Sequence, residues 1–178
     1  FPKKIFYQRL GVHDWKTTFS FGGSDETDNL LNKVYYKLSA GLDWLEGTPM
    51  PGDGRADGGL AILDRIDKIF YVGGFTNSFD FRVQVDSVLI GTIDTTNPGN
   101  ITWTTGPSFP GGPRARLRAF EWGRNKVVVV GGVDGDNFGT STIFNDVWVY
   151  DLETNTWSSL PNMPIALCAY MGGSERLA

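Results

Sequence analysis

The side chains that most often carry chemistry are sparse here. There is one histidine, His13, in the run His13-Asp14-Trp15, and one cysteine, Cys168, in the apolar run Leu167-Cys168-Ala169-Tyr170. A zinc site needs several nitrogen or sulfur ligands, and one of each gives no such set. His13 therefore reads as a structural or exposed histidine, and Cys168 as a small core residue rather than a nucleophile. A lone cysteine also excludes an internal disulfide. Two acidic stretches offer oxygens, Ser24 to Asn29 and Val133 to Asn137. In the second, Asp134, Asp136 and Asn137 have side chains of the type that hold Ca²⁺, but the distal glutamate of a full calcium loop is missing. Asp, Asn and Gly are equally ordinary turn residues. The double glycines at 22–23, 73–74 and 131–132 are not phosphate loops, since none is followed by a lysine or opens a helix. No catalytic set stands out and no cofactor is implied. Asn100-Ile101-Thr102 is a glycosylation sequon, which matters only in a secreted protein.

The remaining chemistry lies in arginines, and their placement depends on the elements that carry them. The chain has 178 residues, a net charge of −4, 40% hydrophobic residues and 23 glycines. That is the composition of a globular protein with many tight turns. Lysine and arginine form no run, so nucleic acid is not an expected partner. No apolar stretch is long enough to span a membrane. The compartment is left open, soluble cytoplasmic and secreted alike.

Two marks recur together. A short apolar strand ends in Gly-Gly at Gly22-Gly23, Gly73-Gly74 and Gly131-Gly132. A tryptophan followed by two prolines appears as Trp44, Pro49, Pro51; as Trp103, Pro107, Pro110; and as Trp157, Pro161, Pro164. Both keep a period of roughly 55 residues, a length typical of propeller repeats. Each unit reads as four short strands, a to d: an apolar strand, a tight turn, a strand ending in Gly-Gly, a polar loop, a strand such as Val147-Trp148-Val149-Tyr150, and a last strand around the tryptophan that the prolines close. Strands apolar on both sides belong to sheets covered on both faces.

Gly131-Gly132, then Asn145-Asp146-Val147-Trp148-Val149-Tyr150-Asp151, then Trp157 and a proline-rich exit, resemble the kelch repeat. The first unit is looser, and the second has Ile90 in place of the tyrosine and an insertion from Gly91 to Asn100. The resemblance implies an all-β fold of four-stranded antiparallel β-propeller blades, about three in this chain, with repeat marks at 22–51, 73–110 and 131–164 and strand a of neighbouring blades at both ends. Propellers typically have four to eight blades. Three blades leave the ring open, so the chain is expected to be a piece of a longer propeller or a subunit that meets further blades from the same or another chain.

In such a meander the d–a links and b–c loops share one rim. Arg55 and Asp57 lie in the first link, Arg114 and Arg116 in the second, and Arg9 is expected at the matching place near the start; the third link, Pro164 to Leu167, has no arginine. The resemblance makes Arg9, Arg55, Asp57, Arg114 and Arg116 a ligand-binding rim for a protein or a glycan. The implied function is a binding or scaffold module rather than an enzyme. The alternatives are part of a propeller enzyme of the mutarotase or oxidase type, with its catalytic residues on other blades, and a purely structural subunit. Known propeller copper oxidases need several histidine and tyrosine ligands, which one histidine does not supply.

Overall fold

The structure, a computed structural model, describes residues 5–41, 43–78, 81–135 and 141–168. Its framework is three four-stranded antiparallel sheets, each a simple meander. The first contains β1 (Arg9–His13), β2 (Thr17–Phe21), β3 (Val34–Leu38) and β4 (Leu45–Glu46). The second is built from β5 (Gly59–Leu63), β6 (Lys68–Val72), β9 (Val88–Ile93) and β10 (Ile101–Gly106), and its b–c loop carries a hairpin, β7 (Phe75–Ser78) and β8 (Phe81–Gln84). The third has β11 (Arg118–Trp122), β12 (Lys126–Val130), β15 (Val147–Asp151) and β16 (Thr156–Leu160), with a smaller hairpin, β13 (Val133–Asp134) and β14 (Thr142–Ile143), in the same loop. The only helical turn among the described residues is a 3₁₀ turn at Asp64–Ile66, which ends at Asp67 in a left-handed conformation.

The sheets stack face to face, as blades I, II and III. Strand β5 touches both β1 and β11, so the a strands form the inner ring. Alternation decides what each face buries. In blade I, Phe19, Phe21 and Val34 point toward blade II and meet Leu60, Ile62, Ile69, Tyr71 and Leu89, with Tyr36 and Trp103 at the margin. In blade II the opposite face sends Ala61, Leu63, Phe70 and Val72 toward Val127, Val129 and Tyr150 of blade III. Phe70 stands 5.1 Å from the Tyr150 ring and 5.9 Å, edge-on, from Trp157. These aromatic contacts fill the gap between blades. Trp148, whose strand the sequence places under cover on both faces, is only half-buried; its indole Nε1 donates to Asp146 Oδ2 at 2.7 Å.

The double glycine has a geometric cause. Gly22, Gly73 and Gly131 all have φ near +60°, and Gly23, Gly74 and Gly132 lie between +95° and +98°. The amide of the second glycine donates to the link that leaves its own blade: Gly23 N to Arg55 O at 2.7 Å, Gly74 N to Arg114 O at 2.9 Å, and Gly132 N to Leu167 O at 2.9 Å. A Cβ on Gly73 would stand 2.6 Å from Arg114 O, and on Gly22 or Gly131 it would overlap Arg55 O or Leu167 O. Only glycine accepts both the φ and the contact.

Two expectations change in detail. The segment Gly91 to Asn100 is not simply an inserted turn: β9 runs on to Ile93 and pairs with Ile101 of β10, so three of the added residues lengthen the strand. The b–c loops of blades II and III, read as polar loops, contain hairpins.

Candidate functional site

The equivalence of the three links fixes the register of the rim. The bridges Phe6 to Ser24, Ala56 to Phe75 and Ala115 to Val133 are the same contact in blades I, II and III. Arg55 and Arg114 are therefore equivalent, and Leu167 takes their place in the third link. At the start of the chain that place belongs to Ile5. Arg9 lies four residues further on, inside β1.

Arg55 and Arg114 each reach from a link into the next blade, where they hold the gap between strand b and strand c. Arg55 Nη2 donates to Ser87 Oγ at 2.6 Å, and Nη1 to Gly73 O and Ser87 O, both at 3.4 Å. Burial pulls its guanidinium below the ordinary arginine value, with the neighbouring Tyr71 and acidic groups acting the other way. Arg114 is held more firmly. Its Nη1 donates to Asp146 Oδ1 at 2.7 Å and to Gly131 O at 3.2 Å, Nη2 donates to Gly111 O, and the guanidinium carbon stands 3.6 Å from the centre of the Phe144 ring and 5.1 Å from that of Phe109. Arg114 is 1% exposed. Both guanidiniums are spent on the framework.

The other three residues of the expected rim come together. Tyr7, Asp57 and Arg116 are equivalent positions, and all three are non-glycine residues with φ of +57° or +58°. Their backbones join in a chain across the blades, Asp57 N donating to Tyr7 O at 3.1 Å and Arg116 N to Asp57 O at 2.7 Å. The result is a collar around one end of the inner strands. Left-handed backbone costs a non-glycine residue about 1–2 kcal/mol, and such residues cluster at binding and catalytic sites. Asp57 is 3% exposed and lies between two guanidiniums, with Oδ1 3.3 Å from Arg9 Nη2 and Oδ2 3.6 Å from Arg116 Nε. Arg9 Nε donates to Gly58 O, and Gly58 N donates to Tyr71 Oη at 3.2 Å. The Tyr71 hydroxyl is pushed above the ordinary tyrosine value, chiefly by burial, with Arg9 opposing. Below the collar Arg9 and Arg118 wall a small cavity between the inner strands, together with Leu10, Leu60, Leu117 and Phe120.

The remaining sequence candidates sit apart. His13 is 5% exposed at the far end of β1, where its Nε2 lies 2.9 Å from Asp67 Oδ1 of blade II. Cys168 is half-buried. Asp134 lies in β13; Asp136 and Asn137 fall outside the described residues, as do Ala169 and the residues after it. No group of three acidic, histidine or cysteine residues among the described residues could hold a metal ion. In the first acidic loop, Asp25 Oδ1 accepts from Thr27 N, Thr27 Oγ1 and Asn29 N, an Asx turn whose Thr27 hydrogen bond lowers the carboxyl pKa. Asn100 is exposed in the β9–β10 turn. Among the described residues, no helix is long and apolar enough to cross a membrane.

The residues absent from the sequence reading are Tyr7, Arg118 and Gln84. Gln84, at the end of β8, donates from Nε2 to Gly135 O at 2.7 Å and accepts from Gly135 N at 3.2 Å, so it ties the two b–c hairpins together. Aligning the links on their Gly-Gly partners would have found the collar, because Arg55-Ala56-Asp57 and Arg114-Ala115-Arg116 share an Arg-Ala pair in front of it.

A family comparison decides what these blades are. The kelch motif matches residues 123–164, the Gly-Gly, strand c and tryptophan of blade III. Blade III is a kelch repeat. The solved structure of YjhT shares the fold, with a TM-score of 0.77 at 11% identity over 94% of this chain and 58% of that one. Among curated proteins, the kelch chain is 30% identical to the dynein alpha chain of the flagellar outer arm of Chlamydomonas reinhardtii, over 97% of its own length and 3% of that protein. It is 33% identical over 70 residues to N-acetylneuraminate epimerase of Shigella sonnei, covering 39% of this chain and 19% of the enzyme. The same enzyme in Shigella flexneri serotype 5b is 38% identical over 58 residues. The chain spans less than a fifth of the length of each of these curated relatives.

Proposed function

We propose that these kelch blades form a binding module that docks a protein within a larger assembly. The observation that carries this reading is the extent of the similarity. The likeness to the flagellar dynein chain runs through 97% of this sequence, whereas the likeness to the epimerase of Shigella sonnei covers 39% of it. The rim supports the same reading. The hairpins β7–β8 and β13–β14, tied by Gln84, stand beside the collar, with Val83 39% and Ile143 47% exposed on them. We place the partner there. Arg55 and Arg114 shape that surface from beneath by anchoring the links. Further blades complete the ring in this proposal: the face of blade III turned away from blade II carries Val147 and Val149, as blades I and II carry apolar residues toward their successors.

The test is the double change Val83→Asp with Ile143→Asp in the full-length protein. Its native complex is expected to shift to a smaller size in gel filtration, while the melting temperature stays within a few degrees, since exposed positions tolerate change. A complex of unchanged size overturns the assignment of the surface. A second reading, a propeller enzyme acting on a sugar acid, draws on the epimerase relatives. Faster exchange between the anomers of N-acetylneuraminate in the presence of the protein, followed by NMR, would favour it.

A further inference from the structure

We propose that the open face of blade I is the seat of a polar junction, taken by a further blade that presents a carboxylate to Lys37. This rests on the reading that further blades complete the ring, and it names what the blade beside β1 must carry. Three observations support it. First, strand register fixes which positions are equivalent on the face that each blade turns toward the one before it. On strand b these are Ile69 and Tyr71 in blade II and Val127 and Val129 in blade III, all 0% exposed except for the same apolar character at slightly different sizes. In blade I the same two places hold Thr18 and Ser20. On strand c, Tyr150 of blade III is matched by Lys37. Second, Ser20 is 1% exposed and its Oγ is buried without a hydrogen bond. A buried hydroxyl without a partner is costly, and native structures seldom keep one without a reason. Third, Lys37 has no ion pair or hydrogen bond among the described residues.

The inner strand sets the occupant as a blade. Leu10 and Val12 hold the places of Leu60 and Ile62. Blade I covers the latter pair, which are 5% and 9% exposed, while Leu10 and Val12 are 43% and 46% exposed. The outer strands set what that blade must carry. At the junction of blades II and III the Phe70 ring stands 5.1 Å from the Tyr150 ring, so the third residue of strand b faces the position that Lys37 holds in blade I. Phe19, Phe70 and Val128 are the equivalents there, and all are apolar. An ammonium set against such a residue would lose water without a partner. A second copy seating its blade III on this face would bring Val128 to Lys37 and is mismatched. An aspartate or glutamate at that place pairs with Lys37, and a polar neighbour can satisfy the Ser20 hydroxyl.

The test uses the full-length protein. A carbodiimide joins a lysine to a carboxylate in direct contact, and Lys126 with Asp151, 3.2 Å apart on blade III, is the internal control. Mass spectrometry is expected to find Lys37 joined to an aspartate or glutamate outside the three blades. Seating of the blade is read separately, by alkylation of Val12→Cys, with mass spectrometry locating the label because Cys168 is also present. Lys37→Glu sets like charges together and is expected to speed alkylation at position 12 about tenfold, the equivalent of roughly 1.4 kcal/mol. Lys37→Met is expected to speed it as well, because the carboxylate loses its partner; an apolar blade surface would slow it instead. The melting temperature checks the folding of each variant. Three results overturn the proposal: the control cross-link without one from Lys37, alkylation at position 12 slowed or unchanged in a folded Lys37→Met protein, or a Lys37 cross-link that joins ¹⁴N and ¹⁵N copies in a mixed sample. A folded Val83→Asp with Ile143→Asp protein that loses its complex but keeps the Lys37 cross-link separates the hairpin surface from this face. A normal complex with the control cross-link and none from Lys37 removes the polar junction alone.

Discussion

The junction between blades I and II and the junction between blades II and III are built alike in their apolar parts and differently in their polar ones. Both bury aromatic and branched side chains from facing sheets, and both have the same Gly-Gly seat for the departing link. The first is pinned at its two ends, by Asp57 with Arg9 at the collar and by Asp67 with His13 at the far end. The second is pinned at the rim by Arg114, on Asp146, Gly131 and two aromatic rings, and by Gln84 between the hairpins. Stacking thus depends on what repeats, while the partners of polar side chains differ at each joint. The collar belongs to both joints, and its backbone geometry repeats as that of the Gly-Gly seat does.

Loss of the shared part should hurt most and equally. Phe19→Ala at the first junction and Phe70→Ala at the second each remove a ring that is 0% exposed. Each is expected to cost about 3–5 kcal/mol in urea unfolding. A difference of more than about 2 kcal/mol between them would break the equivalence of the two junctions. The pins should separate next. Arg114→Met takes a cation from Asp146 and donors from two carbonyls, for about 3 kcal/mol, at the low end for a broken buried pair because Asp146 keeps its bond from Trp148. Arg55→Met loses only neutral acceptors, and about 1.5 kcal/mol is expected. The reverse order would show that the link in front of blade II carries more of the load.

How much of this could be read from sequence follows from which features are local. Gly-Gly, the tryptophans and the paired prolines are local marks, and they were enough for the strand order and the kelch blades. The hairpins were not legible, because Phe75-Thr76-Asn77-Ser78 and Val133-Asp134 are too short and mixed to show a period of two. Burial of Arg55 and Arg114 was hidden because a charged residue in a link looks like a solvated one. The collar was hidden because Tyr7, Asp57 and Arg116 share a φ angle and no side-chain chemistry. Tyr7 and Asp57 therefore invite no alignment, and nothing local marks Ile5, rather than Arg9 in β1, as the equivalent of Arg55.

Smaller effects sharpen the contrast further. Asp67→Asn keeps the left-handed turn, which asparagine tolerates, but weakens the contact with His13. The Asp67 side chain is 41% exposed, so no more than about 1 kcal/mol should be lost at neutral pH. Tyr71 gives a pH effect whose sign is fixed. Its folded pKa is raised, so the unfolded chain ionises first. The stabilisation held by the neutral phenol is complete below the ordinary tyrosine pKa and is lost as pH rises through the folded one. Native Tyr71 should lag in an alkaline absorbance titration, and Tyr71→Phe should flatten the decline of stability above about pH 10.

The seat that each Gly-Gly offers to the link leaving its blade is the central structural claim, and amide hydrogen exchange tests it residue by residue. Gly23 and Gly74 donate to Arg55 O and Arg114 O inside the stack. Their amides are expected to exchange as slowly as those of β2 and β6, with Gly132 following through Leu167 O. Exchange of Gly23 and Gly74 at the rate of an open loop, while β2 and β6 stay protected, would contradict the joint on which the stacking of these blades is built.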